Sequence, residues 1–311
     1  MARVFVTGGA GFIGRWVVEK CLADGHEVTV YDNLCVGRLS NLSEFDGRFS
    51  FREADILDED SLSDALAQAR PNIVIHLAAH HFIPFCNSHP AETLRVNVEG
   101  TEIVCRLAAA SGADRLVAAS TGACYPGTDG LLHESTPAVP VDIYGLSKHI
   151  MESVLDYYHR TTDMSVRVGR LFNTYGPFET NDHLIPHIMD SLRSGPSVQL
   201  GNIYTKRDYI FVKDTAAALY GLSQLDTTDY LIANVGTGVE YSAEDIVKML
   251  GEILGQEIAI TVDEARLRPV DKPHQMADIK RLVAATGSAP EYALEDGLRA
   301  LVEFEQIAFQ R

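Results

Sequence analysis

The octapeptide TGGAGFIG occupies residues 7–14, directly after a β-rich run at Arg3–Val6 and at the start of a helical pattern over Phe12–Ala23. Its glycines at positions 8, 11 and 14 allow a tight turn, a close approach of a pyrophosphate to the backbone, and close packing of helix on strand. The first amides of the helix add donors and the positive end of the helix dipole. A strand-to-helix junction of this kind predicts the first βα unit of a dinucleotide-binding sheet.

The first 170 residues continue this alternation of short β-rich runs and amphipathic helical patterns. The predicted strands are Arg3–Val6, Glu27–Tyr31, Ser50–Glu53, Ile73–His76, Arg115–Ala119 and Ser165–Gly169. The predicted helices are Phe12–Ala23, Ser61–Ala69, Ala91–Ala110 and Tyr144–Thr161. Strands that alternate with helices favour a parallel sheet covered on both faces. The fold class predicted here is therefore α/β, with a Rossmann-type doubly wound parallel sheet.

After Pro177 the alternation becomes less regular. Helical patterns cover Leu184–Ser194, Lys213–Leu225, Ala243–Leu254 and Leu294–Phe309, with short strands at Val198–Leu200 and Tyr230–Asn234. The pattern predicts a dinucleotide-binding domain over residues 1–176 and a smaller, mainly substrate-binding lobe over residues 177–311. That lobe is expected to be interleaved with the sheet, and residues 208–236 are a candidate for a return to the first domain.

Composition limits the partners of the chain. The formal net charge of −17 repels phosphate backbones, so nucleic acid and anionic membranes are not expected as partners. The apolar runs are far shorter than a bilayer span, and no signal peptide is recognised. Five cysteines without a CxxC pair favour free thiols in a reducing compartment, which predicts a cytoplasmic protein. No spacing of His, Cys, Asp or Glu predicts a metal site.

An acidic residue ends the second predicted strand. Asp32 lies 18 residues beyond Gly14, where a carboxylate can accept hydrogen bonds from both ribose hydroxyls of an adenosine. Such a carboxylate would repel a 2′-phosphate, so NAD is favoured over NADP as the cofactor. Arg38, in the following loop, is the residue that could instead meet a 2′-phosphate. Asp55, after the third strand, either accepts from the adenine amino group or caps a helix.

The sequence Tyr144-Gly145-Leu146-Ser147-Lys148 places a tyrosine and a lysine on one face of a predicted helix. An ammonium close to the phenol favours the phenolate, so Lys148 is expected to lower the pKa of Tyr144. Tyr144 is then a candidate base for a sugar hydroxyl. Thr121, after the fifth strand, is a candidate hydrogen-bond partner for the same oxygen. The alternatives are an ordinary helix pair and a polar strand end.

An ordered set of motifs carries a resemblance to a known family. The set comprises TGGAGFIG (7–14), DNL (32–34), HLAA (76–79), NVEGT (97–101), Ser120-Thr121, YGLSK (144–148), RLFNTYGP (170–177), KRDY (206–209), VKD (212–214) and RPVD (268–271). Together these motifs resemble the extended short-chain dehydrogenases, in particular the nucleotide-sugar epimerase/dehydratase group. The resemblance covers nearly the whole chain, and the ordered set is far more specific than any one motif.

The resemblance implies roles for individual residues. It implies a catalytic triad of Thr121, Tyr144 and Lys148. The residues implied to bind NAD are Gly8, Gly11, Phe12, Ile13, Gly14, Asp32, Asn33, Asp55, Ile56, Leu77, Ala78, Ala79, His81, Tyr144 and Lys148. The residues implied to bind a nucleotide-diphosphate sugar are Thr121, Asn173, Leu184, Gln199, Leu200, Arg207 and Arg268. His81 is equally well interpreted as a structural histidine, and each arginine as half of a surface ion pair.

The family resemblance also implies a shared first step, in which a sugar hydroxyl, usually at C4, is oxidised by NAD⁺. Dehydratases of this family carry an Asp-Glu pair after the catalytic Thr, and related decarboxylases carry a Glu in the same turn. Gly122 and Ala123 stand there instead and cannot transfer protons. A 4-epimerase is therefore predicted, which needs only room for the keto-sugar to turn.

Other functions remain open in the sequence. One is a dehydratase or decarboxylase that takes its acid–base groups from elsewhere, with Cys124, Glu179 and His81 as candidates. Another is a non-catalytic NAD-binding regulator. Gln275 stands where the family influences whether bulky N-acetyl groups fit. The resemblance further implies a homodimer, with the helices at Ala91–Ala110 and Tyr144–Thr161 as the shared bundle.

Overall fold

The computed structural model describes residues 1–127, 130–263 and 272–307. Within them the strands are β1 (Arg3–Thr7), β2 (Glu27–Asp32), β3 (Phe49–Glu53), β4 (Ile73–His76), β5 (Arg115–Thr121), β6 (Leu131–Leu132), β7 (Ser165–Leu171), β8 (Asn173–Tyr175), β9 (Ser197–Leu200), β10 (Lys206–Phe211), β11 (Leu231–Val235), β12 (Glu240–Ser242), β13 (Ala259–Val262) and β14 (Met276–Ala277). The helices are α1 (Phe12–Ala23), α2 (Glu59–Ala69), α3 (Ile83–Ser88), α4 (Pro90–Leu94), α5 (Gly100–Ala110), α6 (Ile143–Thr161), α7 (Leu184–Leu192), α8 (Val212–Ser223), α9 (Ala243–Leu254), α10 (Lys280–Thr286) and α11 (Leu294–Glu305).

Seven parallel strands form the central sheet, in the order β11-β7-β5-β4-β1-β2-β3. The predicted Rossmann-type doubly wound sheet is confirmed. The register pairs Thr7 with both Tyr31 and His76, and Thr121 with Leu171. The carboxyl ends of these strands therefore meet at one edge, where ligands of such sheets bind.

Both faces of the sheet are buried. Val4 and Val6 of β1 pack in a cluster with Val17 of α1 and Leu219 of α8. Phe5, between those valines in the chain, packs in the opposite cluster with side chains of α2, α5 and α6. Because side chains alternate across a strand, a run that is apolar throughout must be covered on both sides. This is the physical origin of the doubly wound arrangement.

The predicted helix over Ala91–Ala110 is interrupted by a π-helical turn at Arg95–Glu99. Asn97 in this turn is fully buried. Its Oδ1 accepts from the His80 amide at 2.8 Å, and its Nδ2 donates to the His80 carbonyl at 2.8 Å and to Ser147 Oγ at 2.9 Å. The turn thereby connects the loop after β4 to α6, the helix that carries Tyr144.

The second part of the chain contains a three-stranded sheet in the order β12-β10-β8 and the parallel pair β13-β9. Helices α7, α9 and α11 pack with these strands around a separate apolar cluster. Between β10 and β12 the chain runs through α8 and β11, which belong to the central sheet and its cover. The division near residue 176 stays a prediction. The sequence patterns also missed several short elements, among them α3, α10, β8 and β10.

Candidate active-site cleft

A cleft of about 930 Å³ lies at the carboxyl edge of the sheet. Its walls come from both parts of the chain, from the glycine turn at Gly8 to Gln199 and Leu200 at the end of β9. Every residue assigned to a site from the sequence lines this cleft, except Arg268, which lies outside the described residues. The tertiary structure therefore brings together groups as far apart in the chain as Gly8 and Arg207.

The glycine turn is shaped for a phosphate group. Gly8 has φ +71°, and a Cβ on it would lie 2.7 Å from the Ala78 amide nitrogen. A Cβ on Gly14 would lie 2.1 Å from the Gly8 carbonyl oxygen, so no other residue fits there. Helix α1 begins at Phe12 without a side-chain cap and without an acidic residue in its first turn. Its first amides are therefore available to a pyrophosphate, and the residues present fit NAD.

Asp32 is buried at the end of β2, and both of its carboxylate oxygens are held. Oδ2 accepts from the Ala10 amide at 2.9 Å, and Oδ1 accepts from the Leu34 amide at 2.9 Å. Burial raises the pKa of Asp32, and these two hydrogen bonds act in the opposite direction. Each oxygen keeps a second lone pair for a ribose hydroxyl. Arg38 lines the same end of the cleft.

Asp55 forms the wall beside Asp32. Its Oδ1 accepts from the Leu57 amide at 2.8 Å, and its Oδ2 accepts from Asn33 Nδ2 at 2.7 Å. The cap of α2 is Asp58, which accepts from the Ser61 amide. The alternative that Asp55 caps this helix is therefore wrong, and its side chain orders the cleft wall formed with Asn33 and Ile56.

Two histidines next to the cleft are held in different ways. His76 lies between Thr7 Oγ1 at 2.7 Å and Thr101 Oγ1 at 3.0 Å, and burial lowers its pKa to about 3. It is a neutral structural group that joins β1, β4 and α5. His81 lies in the cleft wall with Leu77, Ala78 and Ala79, and burial lowers its pKa to about 4. His81 is therefore also neutral at pH 7.

Thr121, Tyr144 and Lys148 meet in the cleft. Burial lowers the pKa of Lys148 to about 8, and its Nζ donates to the Ala119 carbonyl at 2.9 Å. Burial raises the pKa of Tyr144, while a hydrogen bond with Thr121 acts in the opposite direction. The expectation that Lys148 lowers the pKa of Tyr144 is not met. The Lys148 ammonium is directed at a carbonyl instead, and desolvation of the phenolate dominates.

Helix α6 begins immediately before these two residues. Asp142 caps it, with Oδ1 accepting from the Gly145 amide at 2.7 Å. A cap of this kind contributes about 1 kcal/mol to helix stability. Because Tyr144 stands in the first turn, the cap also fixes where the phenol enters the cleft. The sequence signal for this cap is an Asp two residues before the tyrosine.

Two side chains of the segment that follows residue 271 donate hydrogen bonds to the turn after Thr121. Gln275 Nε2 donates to the Gly122 carbonyl at 2.5 Å, and Lys272 Nζ donates to the Ala123 carbonyl at 3.0 Å and to the Tyr125 carbonyl. Sequence reasoning missed Lys272 altogether. No local pattern predicts a contact across 149 residues.

A network of buried hydrogen bonds and an ion pair involves residues of the same turn. Tyr125 Oη donates to Asn234 Oδ1 at 2.7 Å and accepts from Arg170 Nη1 at 2.7 Å. Arg170 pairs with Glu152 at 2.6 Å, and Ser120 Oγ donates to Glu152 at 2.5 Å. Cys124 is fully buried in this layer, and burial raises the pKa of its thiol to about 12. Cys124 is therefore not a proton-transfer group of the cleft.

The remaining substrate candidates line the far part of the cleft. Asn173 is exposed at the start of β8, Leu184 begins α7, and Gln199 and Leu200 end β9. Arg207 Nη1 donates to the carbonyls of Lys206 at 2.8 Å and Lys272 at 2.6 Å. The Arg207 side chain therefore lies against the segment that contacts the turn after Thr121.

The structure also bears on metal binding and on membrane insertion. Over residues 1–127, 130–263 and 272–307, no three or more His, Cys, Asp or Glu side chains are grouped as metal ligands. Within the same ranges no helix has both the length and the apolar character needed to cross a membrane.

The chain also matches a known protein family. The model described as the NAD dependent epimerase/dehydratase family matches residues 4–236, which span the central sheet from β1 to β11. The chain belongs to this family. The resemblance inferred from the motifs is thereby confirmed, and NAD is the cofactor of the protein.

Individual relatives span nearly the whole chain. The UDP-glucose 4-epimerase of Mycolicibacterium smegmatis is 31% identical over 314 residues, covering 97% of this chain and 98% of the relative. UDP-glucuronic acid decarboxylase 1 of Xenopus tropicalis is 28% identical, covering 97% and 72%. The structure of UDP-glucose 4-epimerase from Thermus thermophilus in complex with NAD has a TM-score of 0.87 and 29% identity, covering 99% and 100%. Relatives with different reactions share this fold, so the reaction must be argued from the site.

Proposed function

We propose that the protein is an NAD-dependent nucleotide-sugar 4-epimerase. The observation that carries the proposal is the turn after Thr121. The two residues directly after Thr121 are Gly122 and Ala123, and neither has an acidic group. The next residue, Cys124, is buried. The turn therefore offers hydrogen bonds and space but no proton-transfer group for dehydration or decarboxylation. The 31% identity to a UDP-glucose 4-epimerase over 97% of the chain supports the same conclusion.

The proposed mechanism assigns one proton transfer to Tyr144. When bound, NAD⁺ would supply the hydride acceptor and donor for C4 of the sugar, and the glycine turn, Asp32 and Lys148 would hold it. Tyr144 acts as the phenolate, takes the proton of the C4 hydroxyl and gives it back, while Thr121 hydrogen-bonds the same oxygen. Lys148, whose Nζ donates to the Ala119 carbonyl in the same cleft, would hold the nicotinamide ribose. A catalytically idle NAD-binding regulator would not need this set of three residues.

The experiment that tests the proposal is turnover of UDP-glucose and UDP-galactose, followed by NMR and mass spectrometry. An epimerase interconverts the two sugars at constant mass without net formation of NADH. A product that has lost water would favour a dehydratase. Loss of carbon dioxide from UDP-glucuronic acid would favour a decarboxylase, as in the relative from Xenopus tropicalis.

Asp32 leads to a prediction about the cofactor. The buried carboxylate faces the place proposed for the adenosine ribose, so a 2′-phosphate would meet a negative charge. We expect NAD to bind at least about tenfold more tightly than NADP, the effect of about 1.4 kcal/mol of repulsion. Isothermal titration calorimetry with both cofactors measures this ratio. Equal or tighter binding of NADP would show that Arg38 determines the preference instead.

We propose that Arg207 and Arg268 hold the diphosphate of the substrate, with Asn173 beside it. Leu184, Gln199 and Leu200 would surround the nucleotide base. A guanidinium pairs with phosphate oxygens in a bidentate way. We expect Arg207→Ala to weaken binding of UDP-glucose by roughly 2–5 kcal/mol and to leave NAD binding nearly unchanged. Arg299→Ala, which removes a surface ion pair with Glu295, is the control. Equal weakening of both ligands would mean that Arg207 has a structural role through the Lys272 carbonyl.

We also propose a homodimer that forms through α5 and α6. These helices pack on each other, and α6 leaves Leu146, Ile150 and Tyr157 exposed. We expect light scattering to give twice the mass of one chain, and Ile150→Glu to give monomers because it places a charge in an apolar contact. Leu131→Glu, at an apolar side chain exposed elsewhere, is the control.

A cytoplasmic location is proposed on the basis of the thiols. All five cysteines are free, and four of them are buried. Unpaired cysteines are typical of proteins kept in a reducing compartment.

A further inference from the structure

Lys272 supplies two hydrogen bonds to the turn after Thr121, and the proposed mechanism does not use it. Its Nζ donates to the Ala123 carbonyl at 3.0 Å and to the Tyr125 carbonyl. Lys272 is half-buried and does not line the cleft, so it does not touch a sugar bound there. Hydrogen bonds from a charged donor are roughly twice as strong as those between neutral groups. The turn is therefore held by a charged group that lies outside the cleft.

The other carbonyls of this turn have different donors. The Gly122 carbonyl accepts from Gln275 Nε2 at 2.5 Å, and the Cys124 carbonyl accepts from the Val139 amide at 2.8 Å. Removal of the Lys272 ammonium would leave these interactions intact. A backbone carbonyl that loses its donor is unfavourable unless the chain moves to meet another one. We therefore expect the loss of Lys272 to shift the middle of the turn without unfolding it.

The peptide that Lys272 contacts also touches the elements that carry Thr121 and Tyr144. The Ala123 amide donates to Thr121 Oγ1 at 3.1 Å. On the side of α6, a Cβ placed on Gly145 would lie 2.8 Å from the Ala123 carbonyl oxygen, so the start of α6 is in direct contact with this peptide. Gly145 directly follows Tyr144 in the chain. A shift of the Ala123 peptide would therefore move the Thr121 hydroxyl relative to Tyr144.

The main chain of Lys272 is held by β10. Its carbonyl accepts from Arg207 Nη1 at 2.6 Å. Further along the same segment, the Gln275 carbonyl accepts from the Asp208 amide at 2.9 Å, and Asp208 is fully buried. The segment 272–275 therefore runs beside β10 and takes its position from that strand. The Lys272 ammonium reaches the turn from a backbone that is fixed independently of the turn.

We propose that Lys272 is a positioning residue of the active site. Its ammonium fixes the Ala123 peptide, and thereby the Thr121 hydroxyl that hydrogen-bonds the C4 oxygen of the sugar. The inference rests on the proposed function, which assigns that hydrogen bond to Thr121. Lys272 acts through the turn and touches neither substrate nor cofactor. A displacement of about 1 Å near the reacting atoms can lower a rate on the order of 10²-fold, so the position of this turn matters for catalysis.

Lys272→Met tests the role of the ammonium in turnover, because methionine keeps most of the length of the side chain. The variant also keeps the main-chain carbonyl that accepts from Arg207. We expect kcat for UDP-galactose to fall about tenfold or more, with KM within about threefold of the wild-type value. Lys280→Met is the matched control, because Lys280 is 86% exposed and its ammonium contacts Asp278. An unchanged kcat in Lys272→Met, or an equal loss in Lys280→Met, would overturn the inference.

A double-mutant cycle separates the positioning of Thr121 from a general structural effect. If Lys272 acts through the Thr121 hydroxyl, its loss matters little once that hydroxyl is absent. We therefore expect Lys272→Met to lower the kcat of Thr121→Val by less than about threefold. If the two separate losses multiply in the double variant, the residues act independently and the inference is wrong.

Hydrogen–deuterium exchange measures the order of the turn without any turnover. We expect peptides that cover residues 119–127 to exchange about tenfold or more faster in Lys272→Met, with no change in peptides of α9. Unchanged exchange in the turn, or faster exchange in α9 as well, would overturn the inference whatever reaction the enzyme catalyses. If the turn loses protection but the wild-type protein does not interconvert UDP-glucose and UDP-galactose, the proposed function fails and the role of Lys272 in ordering the turn stands.

Discussion

Tyr144→Phe is expected to reduce epimerase turnover on the order of 10²–10⁴-fold, the usual effect of removing a positioned acid–base group. The substitution keeps the aromatic ring, so the packing at the start of α6 and the cap at Asp142 should survive. Only the phenolic oxygen, which we propose takes the C4 proton, is lost. NAD binding should persist, because the glycine turn and Asp32 are untouched. Initial rates with UDP-galactose, together with calorimetric NAD binding, measure both expectations.

The control for this prediction is Thr121→Val, which removes the neighbouring hydroxyl without removing the proton acceptor. Thr121 Oγ1 also accepts from the Ala123 amide at 3.1 Å, so its loss affects the shape of the turn as well as one hydrogen bond. We expect Thr121→Val to cost less than Tyr144→Phe. Near-normal turnover by Tyr144→Phe on a verified substrate would remove Tyr144 from the mechanism.

Lys148→Ala is expected to damage catalysis and NAD binding together. Its side chain is buried, and its Nζ donates to the Ala119 carbonyl at the end of β5. Removal of the ammonium takes away a buried positive charge of the cleft and leaves that carbonyl without this donor. We expect turnover to fall on the order of 10²–10⁴-fold and NAD affinity to fall by about tenfold or more, because a hydrogen bond from a charged group contributes roughly 1.5–3 kcal/mol.

Two substitutions separate the charge of Lys148 from its bulk. Lys148→Met keeps the apolar stem, so its loss of activity measures the effect of removing the ammonium. Any further loss of stability in Lys148→Ala measures the effect of the cavity left by the missing stem. The free energy of unfolding from urea titration distinguishes these effects. Wild-type NAD affinity in Lys148→Met would mean that Lys148 acts on Tyr144 alone.

The pKa values within the cleft could not be predicted from spacing. YxxxK correctly places Tyr144 and Lys148 on one helix face, because residues at i and i+4 are neighbours on any helix. The shift of a pKa depends on desolvation and on which oxygen each ammonium contacts. Desolvation shifts the Tyr144 pKa upwards and the Lys148 pKa downwards to about 8. Such values depend on walls built from distant parts of the chain.

The sequence by itself determined the features that depend on near neighbours in the chain. The glycine turn at residues 7–14, the acidic end of β2 at Asp32 and the alternation of strands and helices all follow from spacings of a few residues. These local rules predicted a doubly wound parallel sheet with ligands at its carboxyl edge, because parallel strands place their carboxyl ends together. Family motifs added the further residues of the cleft.

Only the tertiary structure decided which distant groups touch. The contact of Lys272 with the turn after Thr121 and the burial of Asn97 in a π-helical turn have no signature in local periodicity. Each depends on packing between segments that are far apart in the chain, or on a helix geometry that its own residues do not specify. The physical reason is that a sequence pattern encodes the direction of each side chain, whereas the partner and the solvent exposure of that side chain are set by the whole fold.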